Sequence, residues 1–365
     1  MSIASFFKPT VGEKRSRDEG EPSSLRQPLS LAAWNANSLG NRIAYNGALV
    51  KSFLATEAPD LIFVSEVRFP AAGPPGCKSN DGKPRRRGEL SKGSSALSRE
   101  ADQLSAFIRS NNYKAYYSLS DSKYAGSALL VKRDVALPNS IRYSLDLSAP
   151  STSHHPEGRV ILASFDDFDL LGTYSPNNGT SEPAFERRRG WDAAIGSFLA
   201  NRGSSSSGST TKPLIWLGDL NVSAAWEDVG PDPSWFRHKN GQEATDPDDK
   251  GQPGFTANEQ RRFKSLCDAG NLVDAYRLLH PVANWSTDAT WRGAPGVSGP
   301  PESGRYYNKG MRIDYVLVDQ TLAPRVTKAT VHGKGAERVG FLGSDHCPLL
   351  VALGPKEEAK AAGEA

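Results

Sequence analysis

Only three cysteines occur, Cys77, Cys267 and Cys347, odd in number and far apart. That excludes a disulfide framework and the paired spacing of a thiolate metal site, and it points to a reducing compartment. No uninterrupted apolar run is long enough to cross a bilayer. The first stretch, "MSIASFFKPTVGEKRSRDEGEPSS", lacks the apolar core of a secretory signal. No GxxxxGKS/T segment is present, so the phosphate cradle of a P-loop is excluded, and no GxSxG marks a nucleophilic serine. Excess charge is also scarce: 44 Lys and Arg against 41 Asp and Glu leave a formal +3. Composition alone therefore does not predict a nucleic-acid partner.

What is present suits a globular protein with polar extensions, since 38% of the 365 residues are hydrophobic and 23% charged. Residues 1–28 and 355–365 read as tails rich in Lys, Arg, Glu, Ser and Pro. Between them, short β-rich apolar runs recur: "LSLAAW", "PDLIFVS", "YKAYYSL", "SALLVK", "RVILASF", "FDLLGTYS", "KPLIWLGDL", "RIDYVLVD" and "PLLVAL". Three helices are expected among them. One starts at Ser98, one is "EPAFERRRGWDAAIGSFLA", and one runs from an N-cap at Thr256 to a stop at Gly270. Many strands, fewer helices and no strict alternation predict packed sheets with helices outside. Residues 70–97 read as a long polar insertion holding Arg85, Arg86 and Arg87, a candidate phosphate contact, and residues 203–210 as a floppy surface loop.

Polar residues gather where the apolar runs stop. Asn35 and Asn37 follow "LAAW", Glu66 and Arg68 follow "LIFVS", and Tyr174 and Asn177 follow "LLGT". Asp219 and Asn221 close "LIWLGDLNV", Asp314 opens "DYVLV", and Asp345 and His346 precede "LLVAL". Each alone could be a turn signal or a solvated side chain. Together they predict a site on one rim of the scaffold. Glu66 with Asp and Asn oxygens suits a hard cation such as Mg²⁺, with Mn²⁺ as the alternative ion. A carboxylate to orient water, an Asp–His pair and amide and phenol donors fit hydrolysis of a phosphodiester.

The order of "WNANSL", "SEVR", "KYAGSALL", "EGRVI", "YSPNNG", "GDLNV", "RIDY" and "GSDHCP" resembles the exonuclease III-like AP endonucleases of the endonuclease/exonuclease/phosphatase superfamily, over roughly residues 29–354. The resemblance implies a four-layer α/β sandwich. It also implies a Mg²⁺-dependent DNA-repair nuclease that cuts duplex DNA 5′ to abasic sites and trims 3′ ends. It gives Glu66 as main metal ligand with Asn37 and Asp345 beside it, and Asp219 as the residue that activates water. Asn221, Asn177 and Tyr174 become donors to phosphate and water, His346 a phosphate contact oriented by Asp314, and Asn35 a supporting residue. Thr290, Trp291, Met311 and Ile313 align with the wall of the abasic-sugar pocket. Two departures stand out: Ser65 replaces the family's usual Gln, and Asn37 stands where an acid is common. Ile3, Phe6 and Phe7, spaced to form one apolar plug, resemble part of the motif that docks repair enzymes on the sliding clamp PCNA. A monomer in the nucleus, or in a DNA-containing organelle, is the matching expectation. The competing readings are another phosphodiesterase of the superfamily and a non-catalytic clamp- or DNA-binding protein.

Overall fold

The computed structural model describes residues 28–78, 81–202, 211–239, 244–294 and 300–355. The clamp-like stretch 3–7, the 203–210 loop and most of the C-terminal tail lie outside them.

Two six-stranded mixed sheets form the centre. In the first, Leu29–Asn35 runs parallel to Leu61–Ser65 and antiparallel to Leu349–Leu353. In the second, Leu214–Asp219 runs parallel to Asp169–Thr173 and antiparallel to Asp314–Asp319. Alternate residues of every central strand are apolar on both faces, as buried strands require. Leu31, Phe63, Leu129 and Leu349 point toward Ile161, Ile215, Leu217 and Val316 in the layer between the sheets. The opposite faces take helices. α1 (Leu39–Thr56) and α2 (Ser95–Ser110) pack Val50, Phe53, Leu104 and Ile108 against Trp34, Ile62 and Leu130. α3 (Glu182–Arg202) and α4 (Ala257–Ala269) pack Ile195, Phe198 and Phe263 against Trp216, Tyr315 and Leu317. The result is the expected helix–sheet–sheet–helix sandwich of four layers.

Close approach of the sheets depends on two glycines. A Cβ at Gly172 would fall 2.1 Å from Phe63 Cδ2, and one at Gly218 (φ 134°) would fall 2.1 Å from the Thr173 carbonyl. Phe63 therefore fills the space opposite those two strands.

The nine apolar runs all become strands, and α4 has the expected Thr256 cap, whose side chain accepts from the Glu259 amide. Three local readings are corrected. α2 begins at Ser95 and is capped by Ser94, which accepts from Leu97 N at 3.2 Å; Ser98 lies inside the first turn. α1 was not legible in the sequence, because Tyr45 and Leu49 are exposed and blur its apolar stripe. The 70–97 segment is not merely a loop: Ala71–Ala72 pairs with Arg86–Leu90, and α2 starts before it ends.

Candidate active site

Sheet direction brings the polar strand ends to one rim. Asn35 pairs with Ser65 across the parallel ladder, which puts Glu66 one residue beyond, and Asp219 pairs directly with Asp314 across the second sheet. Asn35, fully buried, joins the two sheets: its Nδ2 donates to Glu66 Oε1 at 3.0 Å and to Asp219 Oδ2 at 2.9 Å. Tyr174 Oη donates to the same Glu66 oxygen at 2.8 Å. The Asn221 amide donates to Asp219 Oδ1 at 2.9 Å, and Asn177 Nδ2 to Asn221 Oδ1 at 3.2 Å. Asn37 Nδ2 and Trp291 Nε1 donate to the two oxygens of Asp345 at 2.8 and 3.2 Å. Asn37, Glu66, Arg68 and Asn221 all have positive φ, between 44° and 55°. Such backbone is unfavourable for these residues and concentrates where side-chain direction is constrained by function.

His346 Nδ1 lies 2.8 Å from Asp314 Oδ2, and Nε2 lies 3.9 Å from Asp219 Oδ2. Burial pulls the imidazole down, but the carboxylates of Asp314 and Asp219 outweigh it and raise His346 to about 10. Burial, with Asp314 beside it, pushes Asp219 up to about 7. His346 is thus raised far enough to hold its proton at neutral pH, beside an Asp219 carboxyl that gives up its own near neutrality. Burial and the Glu66 and Asp219 charges keep the Tyr174 phenol protonated. Burial would raise Asp345, yet His346 and the Asn37 amide hold it below the usual carboxylate range.

Two groups of oxygens could hold a cation. Asp219, Asp314 and His346 place one ligand atom each within 4.8 Å of one another. In this trio His346 Nδ1 and Asp314 Oδ2 are already engaged with each other at 2.8 Å. Glu66 suits a metal better. Its Oε2 is buried, accepts no hydrogen bond and faces the Arg68 guanidinium in an ion pair, so the carboxylate already attracts positive charge. Asn35, Asn37 and Asp345 surround that side of the rim through a connected chain, with Asn37 N donating to Asn35 Oδ1 at 3.0 Å. An all-oxygen donor set fits a hard divalent ion.

Other expected residues are placed as follows. Thr290 Oγ1 accepts from the Ile313 and Asp314 amides at 3.1 and 3.0 Å, so it shapes the start of the Asp314 strand. Met311 and Ile313 are buried beside Phe236 and Phe255, with Trp291 packed against them. The arginine triplet is not a unit. Arg85 turns inward, with 3% of its side chain exposed, onto Asp81, Cys77 and the Lys78 carbonyl. Arg87 pairs with Asp121 and donates to the Leu119 carbonyl at 3.0 Å. Only Arg86 projects outward, beside Glu89. In this structure the Arg85 guanidinium closes its own loop rather than projecting outward.

Two arginines were missed. Buried Arg188 of α3 donates to the carbonyls of Pro176, Leu220 and Asn221 at 3.0–3.1 Å while pairing with Asp192. It ties together the loops that carry Asn177 and Asn221. Buried Arg159 holds the Tyr174 carbonyl at 3.0 Å and stacks on its ring at 4.4 Å. The "EGRVI" stretch held a signal for Arg159. In "FERRRGW" nothing separates buried Arg188 from exposed Arg187 and half-buried Arg189 except its helical phase.

A two-sheet sandwich whose rim gathers carboxyl groups, a histidine and a buried phenol defines a phosphoester-hydrolase type of protein. Residues 32–346 match the Endonuclease/Exonuclease/phosphatase family, and the chain belongs to that family. It is similar to a DNA-(apurinic or apyrimidinic site) endonuclease of Arabidopsis thaliana, 41% identical over 95% of this chain and 92% of the relative. An exodeoxyribonuclease of Streptococcus pneumoniae is 26% identical over 89% of this chain and 99% of its own length. Among solved structures, an AP endonuclease from Leishmania major superposes with a TM-score of 0.62 at 19% identity, covering 90% of this chain and 88% of its own, which bears on the fold alone.

Proposed function

We propose that this protein is a Mg²⁺-dependent DNA-repair nuclease that hydrolyses the phosphodiester 5′ to an abasic site and also processes 3′ ends. The observation that carries the reading is the hydrogen-bonded line Tyr174–Glu66–Asn35–Asp219, which crosses from one sheet to the other beside the His346–Asp314 pair. Relatives named as abasic-site endonuclease and exodeoxyribonuclease support it.

Bound at Glu66, with Asn37 and Asp345 near, Mg²⁺ would supply charge to polarise the phosphoryl oxygens and the leaving oxygen. Asp219 orients the attacking water and takes its proton, as its position near neutrality allows. The P–O3′ bond breaks and the leaving 3′ oxygen takes a proton from solvent, giving a 3′ hydroxyl and a 5′ deoxyribose phosphate. His346, protonated and fixed by Asp314, donates to a phosphoryl oxygen where negative charge grows. Tyr174, Asn177 and Asn221 surround the same oxygens as neutral donors. The expected clamp docking through Ile3, Phe6 and Phe7, and a nuclear location, belong to this reading and rest on the sequence.

The test offers the full chain three duplexes, with an abasic site, a recessed 3′ end or a 3′ phosphate, in Mg²⁺ or in EDTA. Incision 5′ to the abasic site in Mg²⁺ and none in EDTA is expected. Failure to cut any of the three in Mg²⁺, by a folded protein, overturns the reading.

A further inference from the structure

The aromatic residues nearest the catalytic rim do not stop at the pocket wall. Trp291, whose indole N–H holds Asp345, meets Tyr306 edge-to-face at 5.6 Å between ring centroids. Tyr306 meets Trp235 in the same way at 5.8 Å, and Trp235 stands at 4.9 Å on buried Phe236. All three outer rings are half-buried. Packing of Phe236 with Phe255 and Met311 anchors the row from beneath. Cations lie along it: the Arg305 guanidinium is 5.6 Å from the Tyr306 ring, and the Lys309 ammonium 4.5 Å from the Trp235 ring. Lys309 also donates to the Arg305 carbonyl at 2.7 Å, so the two charges are held in one short turn.

Half-exposed rings with cations beside them are the surface that takes a base and its phosphate together. A purely structural cluster would bury its rings, and a purely electrostatic patch would not need them. Continuity with the site argues for DNA, because the row begins at Trp291, the hydrogen-bond partner of Asp345. We propose that Trp291, Tyr306 and Trp235, with Arg305 and Lys309, form a stacking platform for the bases of an unpaired DNA strand next to the cleavage site. The proposal rests on the DNA reading of that site. On it, the protein grips frayed or single-stranded DNA through base faces as well as phosphates, and a strand without bases loses that part of the grip.

The test uses the full chain in EDTA, which prevents cleavage. Two anionic chains of equal charge, each end-labelled, are compared by anisotropy: an oligodeoxyadenylate of about ten nucleotides, matching a typical stacking site, and a linear inorganic polyphosphate, which offers neither a base nor an abasic sugar. The base-bearing strand should bind about tenfold tighter, which is the worth of one stacked base. Emission of a 2-aminopurine placed in the strand should fall on binding. Tyr306→Leu should remove most of the preference, whereas Tyr306→Phe, which keeps the ring, should retain it. Equal binding of the two polymers by the wild-type chain overturns the platform without needing any variant, as does an undiminished preference in folded Tyr306→Leu. A protein that prefers the base-bearing strand but does not cut abasic duplex keeps the platform and loses the chemistry; cutting without preference is the reverse.

Discussion

Tyr174 and Glu66 are 108 positions apart in the chain, yet the phenol of one donates to the carboxylate of the other at 2.8 Å. The bond crosses from the second sheet to the first and uses one Glu66 oxygen. The other, Oε2, is left to face positive charge. The phenol thereby turns Glu66 toward its ionic partner.

Tyr174→Phe removes that bond and, on the proposed mechanism, a donor to the phosphate, while keeping the ring on Arg159. Turnover should fall by about 100-fold, the usual cost of one such donor, with the melting temperature little changed. Glu66→Gln should lose affinity for Mg²⁺, read by calorimetry. Unaltered metal binding in Glu66→Gln would move the cation elsewhere on the rim.

Asp314 should show in the pH dependence of stability. His346 titrates near 6.5 in the unfolded chain and is raised to about 10 in the folded one. A raised pKa contributes stability that is fully present below about 6.5 and is lost as pH rises through about 10. Asp314→Asn removes the main raising charge. In EDTA the variant should melt well below the wild type at pH 7, and the gap should narrow by pH 10. A gap constant over that window would contradict a protonated His346.

Arg188 holds three loop carbonyls from within the protein, close to buried Asp192 and Glu259. Arg188→Met leaves buried Glu259 without its cation, while Asp192 keeps Arg262 at 2.8 Å, and breaking such a buried pair costs about 3–5 kcal/mol. Hydrogen exchange should quicken at Asn177 and Asn221, and kcat should fall more than affinity for DNA. Rapid exchange confined to α3 would show that the arginine serves the helix alone.

For DNA grip, replacing Arg85, Arg86 and Arg87 together by Ala should flatten the slope of log K against log salt by no more than about 0.9, one phosphate contact. Arg85→Ala alone should lower the melting temperature and leave the slope unchanged. A slope change of three contacts would mean that the loop opens on DNA.

Apolar runs placed nine of the strands, because residues buried on both faces leave continuous runs ended by polar residues, but not the edge strand Val326–Val331, whose exposed Thr327, Lys328 and Thr330 interrupt the run. Thr256 and Gly270 marked α4 because caps are local chemistry. The individual site residues Asn35, Glu66, Asp219, Asp314 and His346 were legible as polar breaks at those ends. The sequence did not carry α1, whose exposed Tyr45 and Leu49 hide its buried stripe. Nor did it separate Arg85 and Arg188, which turn inward, from outward neighbours of the same type. Direction and partnership are tertiary properties. The parallel register of Asn35 with Ser65 and the antiparallel register of Asp219 with Asp314 bring residues from distant segments onto one rim. Burial there, with the carboxylates around the imidazole, raises Asp219 and His346 together. A linear chain specifies which groups can titrate, and only their packing sets the distances and the desolvation that decide which of them does.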